Sequence, residues 1–183
     1  GLERVTAVVQ GKLNNYDTDL FTPLIEATAK LAGVKYGASV ATDISLRVIA
    51  DHLRATTFLV SDGVLPGNEG RGYVLRKIMR RALRHGRKLG LDKPFLADLV
   101  SELVARMQSA YPDLKTTEAT VKKIVRVEED RFSTTLKQAF AVFDSVAAST
   151  KTGVLSGADA FKLYDTYGLS LDFTEELAAD RGL

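Results

Sequence analysis

Apolar residues recur along this chain at three- and four-residue steps, not at alternate positions, so the pattern predicts helices almost throughout. Leu2 to about Lys12 is one amphipathic segment. A second, capped by Asp17 or Thr18, runs to Gly33, a residue type suited to a left-handed stop. Asp43 caps a third, whose apolar positions Ile44, Leu46, Val48, Ile49, Leu53, Phe58 and Leu59 lead to Asp62-Gly63. The loop VLPGNEGRG follows, rich in turn-formers. In the next segment Leu75, Ile78, Met79, Ala82 and Leu83 form a single buried stripe, and the helix ends at Gly90. Asp92 and Pro94 open a further helix that stops near Tyr111-Pro112, because proline disfavours helical geometry at the residue before it. From about Thr117 to Ala148 one long amphipathic helix carries Val121, Ile124, Val125, Phe132, Leu136, Phe140 and Phe143 on one side.

The tail changes character. KTGVLSG is a turn-rich link in which Val154 and Leu155 either form a short strand or simply pack. Ser156 then caps a short helix with Asp159 in the capping-box position, Gly168 stops it, and a last helix starts near Asp172. The expected fold class is therefore mainly α, with little or no β-structure. There is no internal repeat and no low-complexity tract.

Composition narrows the reading. A chain of 183 residues with 45% hydrophobic content can form one compact domain, or one domain with a small appended piece. Zero Cys excludes a disulfide scaffold and thiolate metal sites, and fits a reducing compartment. His52 and His85 are the only histidines and nothing near them has ligand spacing, so no metal site is expected. No apolar run approaches the ~20 residues of a membrane span, and the expected setting is soluble and cytoplasmic. The opening Gly1-Leu2-Glu3-Arg4 leads straight into VTAVVQGKL without an initiator Met, which suggests a piece cut from a longer protein.

Charge supplies the main functional clue. Between Arg71 and Lys88 lie eight Lys or Arg residues, together with His85, and no Asp or Glu. The net charge is +2, which leaves the rest of the chain at −6 and makes the positive potential local. Arg76, Arg80, Arg84 and Arg87 fall on one helical row, and Lys77, Arg81 and Lys88 on a neighbouring one, forming a rod roughly 25 Å long at the helical rise per residue. Like charges four apart each cost a few tenths of a kcal/mol, so a purely structural helix would intersperse Glu. Two readings follow: a shaped binding face for an anion such as nucleic acid, or a solvated face neutralised by acids elsewhere in the fold.

The run SLRVIADHLRATTFLVSDGVLPGNEGRGYVLRKIMRRALRHG, Ser45 to Gly86, resembles the alanyl-tRNA synthetases, and the flanks GLER, NYDTDLF (Asn15 to Phe21) and FKLYDTYG (Phe161 to Gly168) agree with it. In this class II ligase family a catalytic core precedes a helical tRNA-recognition region and an editing domain with a zinc site. The resemblance assigns residues 1–14 to the end of the catalytic core, 15–150 to the helical tRNA-recognition domain and 151–183 to a C-terminal helical subdomain. Gly1 to Arg4 matches the end of class II motif 3, whose ATP-contacting arginine falls on Arg4. Motifs 1 and 2 and the editing ligands are not in this chain, so the piece alone is expected to hold no catalytic residue, no metal and no cofactor. The resemblance implies that ATP, Mg2+ and the editing-site Zn2+ belong to a parent enzyme of the alanine–tRNA ligase kind.

The same resemblance implies that the acceptor stem of tRNA(Ala) is the partner, alongside the catalytic and editing domains of the parent. Its G·U wobble pair is read in this family by an Asn and an Asp, which fall on Asn68 in PGNEGRG and Asp165 in LYDTYG. A-form RNA exposes its minor groove, and wobble geometry leaves the guanine 2-amino group without its partner carbonyl. An ionised Asp suits that amino group, and an Asn offers both donor and acceptor. Arg71, Arg76, Lys77, Arg80, Arg81, Arg84, Arg87 and Lys88 are the expected backbone contacts. By type alone Asn68 is a turn or capping residue, whereas Asp165 near a helix C-terminus opposes the macrodipole and so hints at a non-structural role. Arg71 suits either the loop or a phosphate. Tyr73, Tyr164 and Tyr167 either stack on a base or pack in the core, and His52 is expected to be a satisfied buried imidazole. The alternative from another class is a non-enzymatic helical adaptor that uses the basic helix on DNA or an acidic protein. No DNA partner is expected, since no two-fold interface of the helix-turn-helix kind is evident.

Overall fold

Short-range side-chain bonds decide where several of the helices begin. In the computed structural model, which describes residues 1–150, 153–167, 169 and 171–183 and no side chain at 135–139 or 172, the first helix α1 spans Leu2–Val9. Asn14 accepts the backbone N–H groups of Tyr16 and Asp17 at 2.9 and 3.1 Å and starts a 3-10 turn, Asn15–Asp17. That turn delays α2 to Thr22–Ala32, so the expected cap at Asp17 or Thr18 lies one turn too early. Gly33 ends α2 with φ +67°, a left-handed stop as expected.

Ser39, not Asp43, caps α3 (Val40–Ser61): its hydroxyl accepts the Thr42 N–H at 3.2 Å, and Asp43 in the first turn accepts the Gly37 N–H at 2.8 Å. The basic helix α4 is Gly70–Lys88, α5 is Leu96–Met107 and α6 is the long helix Asp113–Ser149. Ser156 accepts the Asp159 N–H at 3.1 Å and donates to its carboxylate at 2.6 Å, opening α7 at Gly157–Tyr167 as a capping-box imitation; α8 is Leu171–Asp180. Among the described residues there is no strand, and Val154 and Leu155 lie outside any regular element. The expected stop at Gly168 and the expected placing of the Leu136 side chain lie outside the described residues.

Contacts divide the chain into residues 1–129 and 130–183, with the division inside α6. The first unit packs α2 to α5 and the start of α6 around Leu24, Ile25, Leu46, Ile49, Leu53, Leu75, Met79, Leu96, Leu103, Leu114, Val121 and Val125, each at most 2% exposed. Burying one such side chain contributes about 1.5–3 kcal/mol before chain entropy is counted. In the second unit Phe132, Phe143, Leu163, Leu169, Phe173 and Leu177 form the core, with the Phe132 and Phe173 rings edge to face at 5.9 Å. Among the described residues no helix is long and apolar enough to cross a membrane.

Candidate nucleic-acid interface

The stripe expected on α4 is buried: Leu75, Met79 and Ala82 have no exposure and Leu83 has 7%, while Ile78 is half-buried. Because α4 packs against α3 and also reaches α6, its covered side is wider than one stripe. The two basic rows therefore separate. Arg81 and Lys88 are exposed and Lys77 is half-buried, with the Lys77 ammonium 5.5 Å from the centre of the Tyr73 ring. The other row turns inward, which corrects the expectation of one exposed, unneutralised rod. Arg84 is 5% exposed; the Arg76 and Arg80 side chains keep 15% and 26%, and Arg87 lies 3.3 Å from Asp92.

What neutralises Arg76 and Arg80 is Glu128, on α6 and 4% exposed at its side chain. One of its oxygens lies 2.9 Å from Nε of Arg76 and 3.5 Å from Nε of Arg80. The 2.9 Å approach is an ion pair off the line of the N–H, while the other carboxylate oxygen accepts from Nη2 of Arg76 at 3.4 Å. Burial lowers the Arg80 pKa, and Glu128 opposes that fall. Its neighbour Glu129 accepts the backbone N–H groups of Phe95, Leu96 and Ala97 at 2.9, 2.8 and 3.1 Å, capping α5 from another helix. Sequence reasoning missed both acids. The signal was there: Val121, Val125, Glu128 and Phe132 follow one stripe at steps of four and three, so a carboxylate stood on a buried face.

Asn68 stands exposed in the loop before α4, and its side-chain oxygen accepts from Nη1 of Arg76. The same guanidinium donates to the Pro66 carbonyl at 3.3 Å, and the Gly67 N–H donates to the Gly72 carbonyl at 3.0 Å. Gly72 is forced by this closeness, since a Cβ there would lie 2.5 Å from the Leu65 oxygen. Arg71 is exposed beside the loop. In the second unit Asp165 is exposed on α7, one residue from Tyr164 (56% exposed) and four from Phe161 (64%). Tyr73 is also exposed, at 37%, whereas Tyr167 is half-buried.

The two histidines are close enough to interact electrostatically. His52 pairs with Asp51 through Nδ1 at 2.9 Å, but its buried Nε2 has no protein partner, so the expected satisfied imidazole holds at one nitrogen only. His85 shares a hydrogen bond with the Ser45 hydroxyl at 3.0 Å. Burial, with Lys88, Arg84, His52 and Arg81 adding repulsion, pushes its pKa down to about 4. Since the unfolded value is near 6.5, the stability gained from the neutral ring is complete above about pH 6.5 and falls as pH drops towards 4. Discounted for the ring's partial exposure, the loss is about 1–2 kcal/mol. Melting temperatures measured between pH 7 and pH 4 are expected to fall less steeply in His85→Gln than in the unsubstituted chain.

Arg4 is exposed on α1 and lines an open cavity of about 260 Å³ with Glu3, Tyr16, Asp51 and Arg54, while Leu2, Val5, Val8 and Val9 are each at least 53% exposed. Arg54 pairs with Glu3 and stacks over Phe21 at 4.7 Å, tying α1 to α3. The NYDTDLF segment helps to hold the fold: Asp17 accepts from the Tyr36 hydroxyl at 2.9 Å, and that hydroxyl accepts from Nε of Arg47 at 2.7 Å. Among the described residues no three His, Cys, Asp or Glu are grouped to hold a metal ion.

Among the described residues, then, the regular elements are all helical, and the basic helix α4 with the exposed polar loop at its start is the candidate interface. Comparison gives the class: the family model described as tRNA synthetases class II (A) matches residues 1–183, and the chain belongs to that family. It is 52% identical over 184 residues to alanine–tRNA ligase of Acidithiobacillus ferridurans, 50% over 183 residues to that of Thermotoga maritima and 48% over 183 residues to that of Dehalococcoides mccartyi. Each match covers the whole of this chain and 21% of the relative, so the chain spans about a fifth of their length.

Proposed function

We propose that this chain is the tRNA-reading part of an alanine–tRNA ligase, holding the acceptor stem of tRNA(Ala) within a cytoplasmic enzyme that attaches alanine using ATP. The observation that carries the reading is the exposed Asn68 amide, on the loop that feeds a basic helix whose outward residues Arg71, Lys77, Arg81 and Lys88 suit phosphates. Asn68 reads one side of the G·U pair. Asp165 accepts from the guanine 2-amino group, with the exposed Phe161 and Tyr164 rings beside it as stacking surfaces. Arg4 contributes its charge to an ATP site otherwise built by the rest of the enzyme, which also supplies the carboxylates for Mg2+ and the ligands for the editing zinc. The exposed apolar side of α1 packs on that remainder.

Binding of acceptor-stem minihelices to the full-length protein tests this. Asn68→Ala and Asp165→Ala are each expected to weaken the G·U minihelix by about 1–3 kcal/mol and a G·C version by little. Equal losses on both RNAs would mean that the two residues only position the RNA. With about four outward cations on phosphates, log affinity falls against log salt with a slope of roughly −3 to −4. Stronger binding to duplex DNA of equal length would favour the DNA-directed adaptor.

A further inference from the structure

The inward turn of Arg76 brings its guanidinium against other groups of the protein. Its guanidinium holds three groups: the Glu128 carboxylate, the Pro66 carbonyl and the side-chain oxygen of Asn68. A guanidinium has donors only, so the amide end of Asn68 that faces it must be the oxygen. The amide NH2 is thereby turned away from Arg76 on an exposed residue. Glu128 in turn fixes the guanidinium from a helix 52 residues further along the chain.

We propose that Arg76, anchored by Glu128, is a positioning residue that locks the Asn68 amide so that its NH2 donors are the end presented to the RNA. The groups it selects are minor-groove acceptors: a pyrimidine O2, a purine N3 or a ribose 2′-oxygen. Asp165, an acceptor, then carries the opposite half of the reading. This inference rests on the proposed role of Asn68 and adds the direction of its hydrogen bond and the source of its rigidity. A freely rotating amide would address donors and acceptors alike and discriminate less.

The test is a double-mutant cycle in the full-length protein, with Asn68→Ala and Arg76→Gln alone and together, read as Kd for the G·U and G·C minihelices at two salt concentrations. Arg76→Gln is expected to weaken the G·U minihelix about 5- to 20-fold and the G·C one less than about 2-fold, to add nothing in the Asn68→Ala background, and to leave the salt slope unchanged. A slope shallower by about 0.7–0.9, with losses that add to those of Asn68→Ala, would assign Arg76 to a phosphate and overturn the proposal. Asn68→Asp covers the case in which Arg76→Gln does not fold, because it keeps an acceptor towards Arg76 and removes the outward donors, while the negative charge it adds weakens both minihelices alike and so cancels in the G·U preference. It is expected to lose as much G·U preference as Asn68→Ala, and unchanged preference would overturn the donor assignment. If Asn68→Ala itself leaves discrimination intact, the role of Asn68 fails first and the lock falls with it. If Asn68→Ala abolishes discrimination and a folded Arg76→Gln does not, only the lock fails.

Discussion

Glu129→Ala is expected to lower the melting temperature by roughly 10 °C and to speed hydrogen exchange at Phe95, Leu96 and Ala97. The first helical N–H groups of α5 have no partner within the helix, and neither Phe95 nor any neighbouring side chain caps them. Glu129, 2% exposed, accepts all three at 2.8–3.1 Å. Hydrogen bonds to a charged group contribute about 1.5–3 kcal/mol each, and buried N–H groups left unpaired cost about 1–3 kcal/mol each. These figures do not add fully, because water enters the space the side chain leaves, so a net loss of about 3–4 kcal/mol is expected. At about 2–4 °C per kcal/mol for a chain of this size, that gives the stated shift. Burial pushes the Glu129 pKa above its ordinary value while the three N–H donors pull it back. Glu129→Gln keeps one acceptor and is expected to lose about half as much. Exchange rates at the three amides that stay slow in Glu129→Ala would show that α5 is capped by something else.

Glu128→Ala is expected to cost about 2–4 kcal/mol, by denaturant or thermal unfolding, and to weaken G·U minihelix binding together with stability. Removing one partner of a buried ion pair costs about 3–5 kcal/mol because the other charge is left behind. Here two guanidiniums are left behind, but both keep some access to water, at 15% and 26%, so the lower part of the range applies. The partner change is as informative as the energy. With Glu128 gone, Arg76 is released from one of its three anchors, and the loop at Pro66 and Asn68 loosens. A stability loss of the expected size with unaltered RNA discrimination would separate the ion pair's structural role from its role in holding Asn68.

Most helices were legible in the chain because periodicity and caps are local. The stripe on α4, the left-handed stop at Gly33 and the Ser156–Asp159 start of α7 all depend on residues within one or two turns of each other. Competing local signals were less legible. Ser39 and Asp43 both have capping chemistry, and the choice fell to Ser39 because Asp43 is taken by the Gly37 N–H. Asn14 escaped notice because a short 3-10 turn has too few residues to show a period. The positions matched to Asn68 and Asp165 were legible only through the family's motifs, and both residues are exposed.

Composition and periodicity settled a helical chain with one concentrated run of positive charge, since both are properties of neighbours along the backbone. Which of those charges face water was settled by packing. A helical row points inward or outward according to how many partners cover its helix, and the carboxylate that meets Arg76 and Arg80 comes from residue 128, which is 52 positions beyond Arg76 by sequence and within 3.5 Å of both in space. Desolvation then separates the cations: the covered Arg76 braces the loop while paired with a buried acid, and Arg71, Arg81 and Lys88 remain exposed.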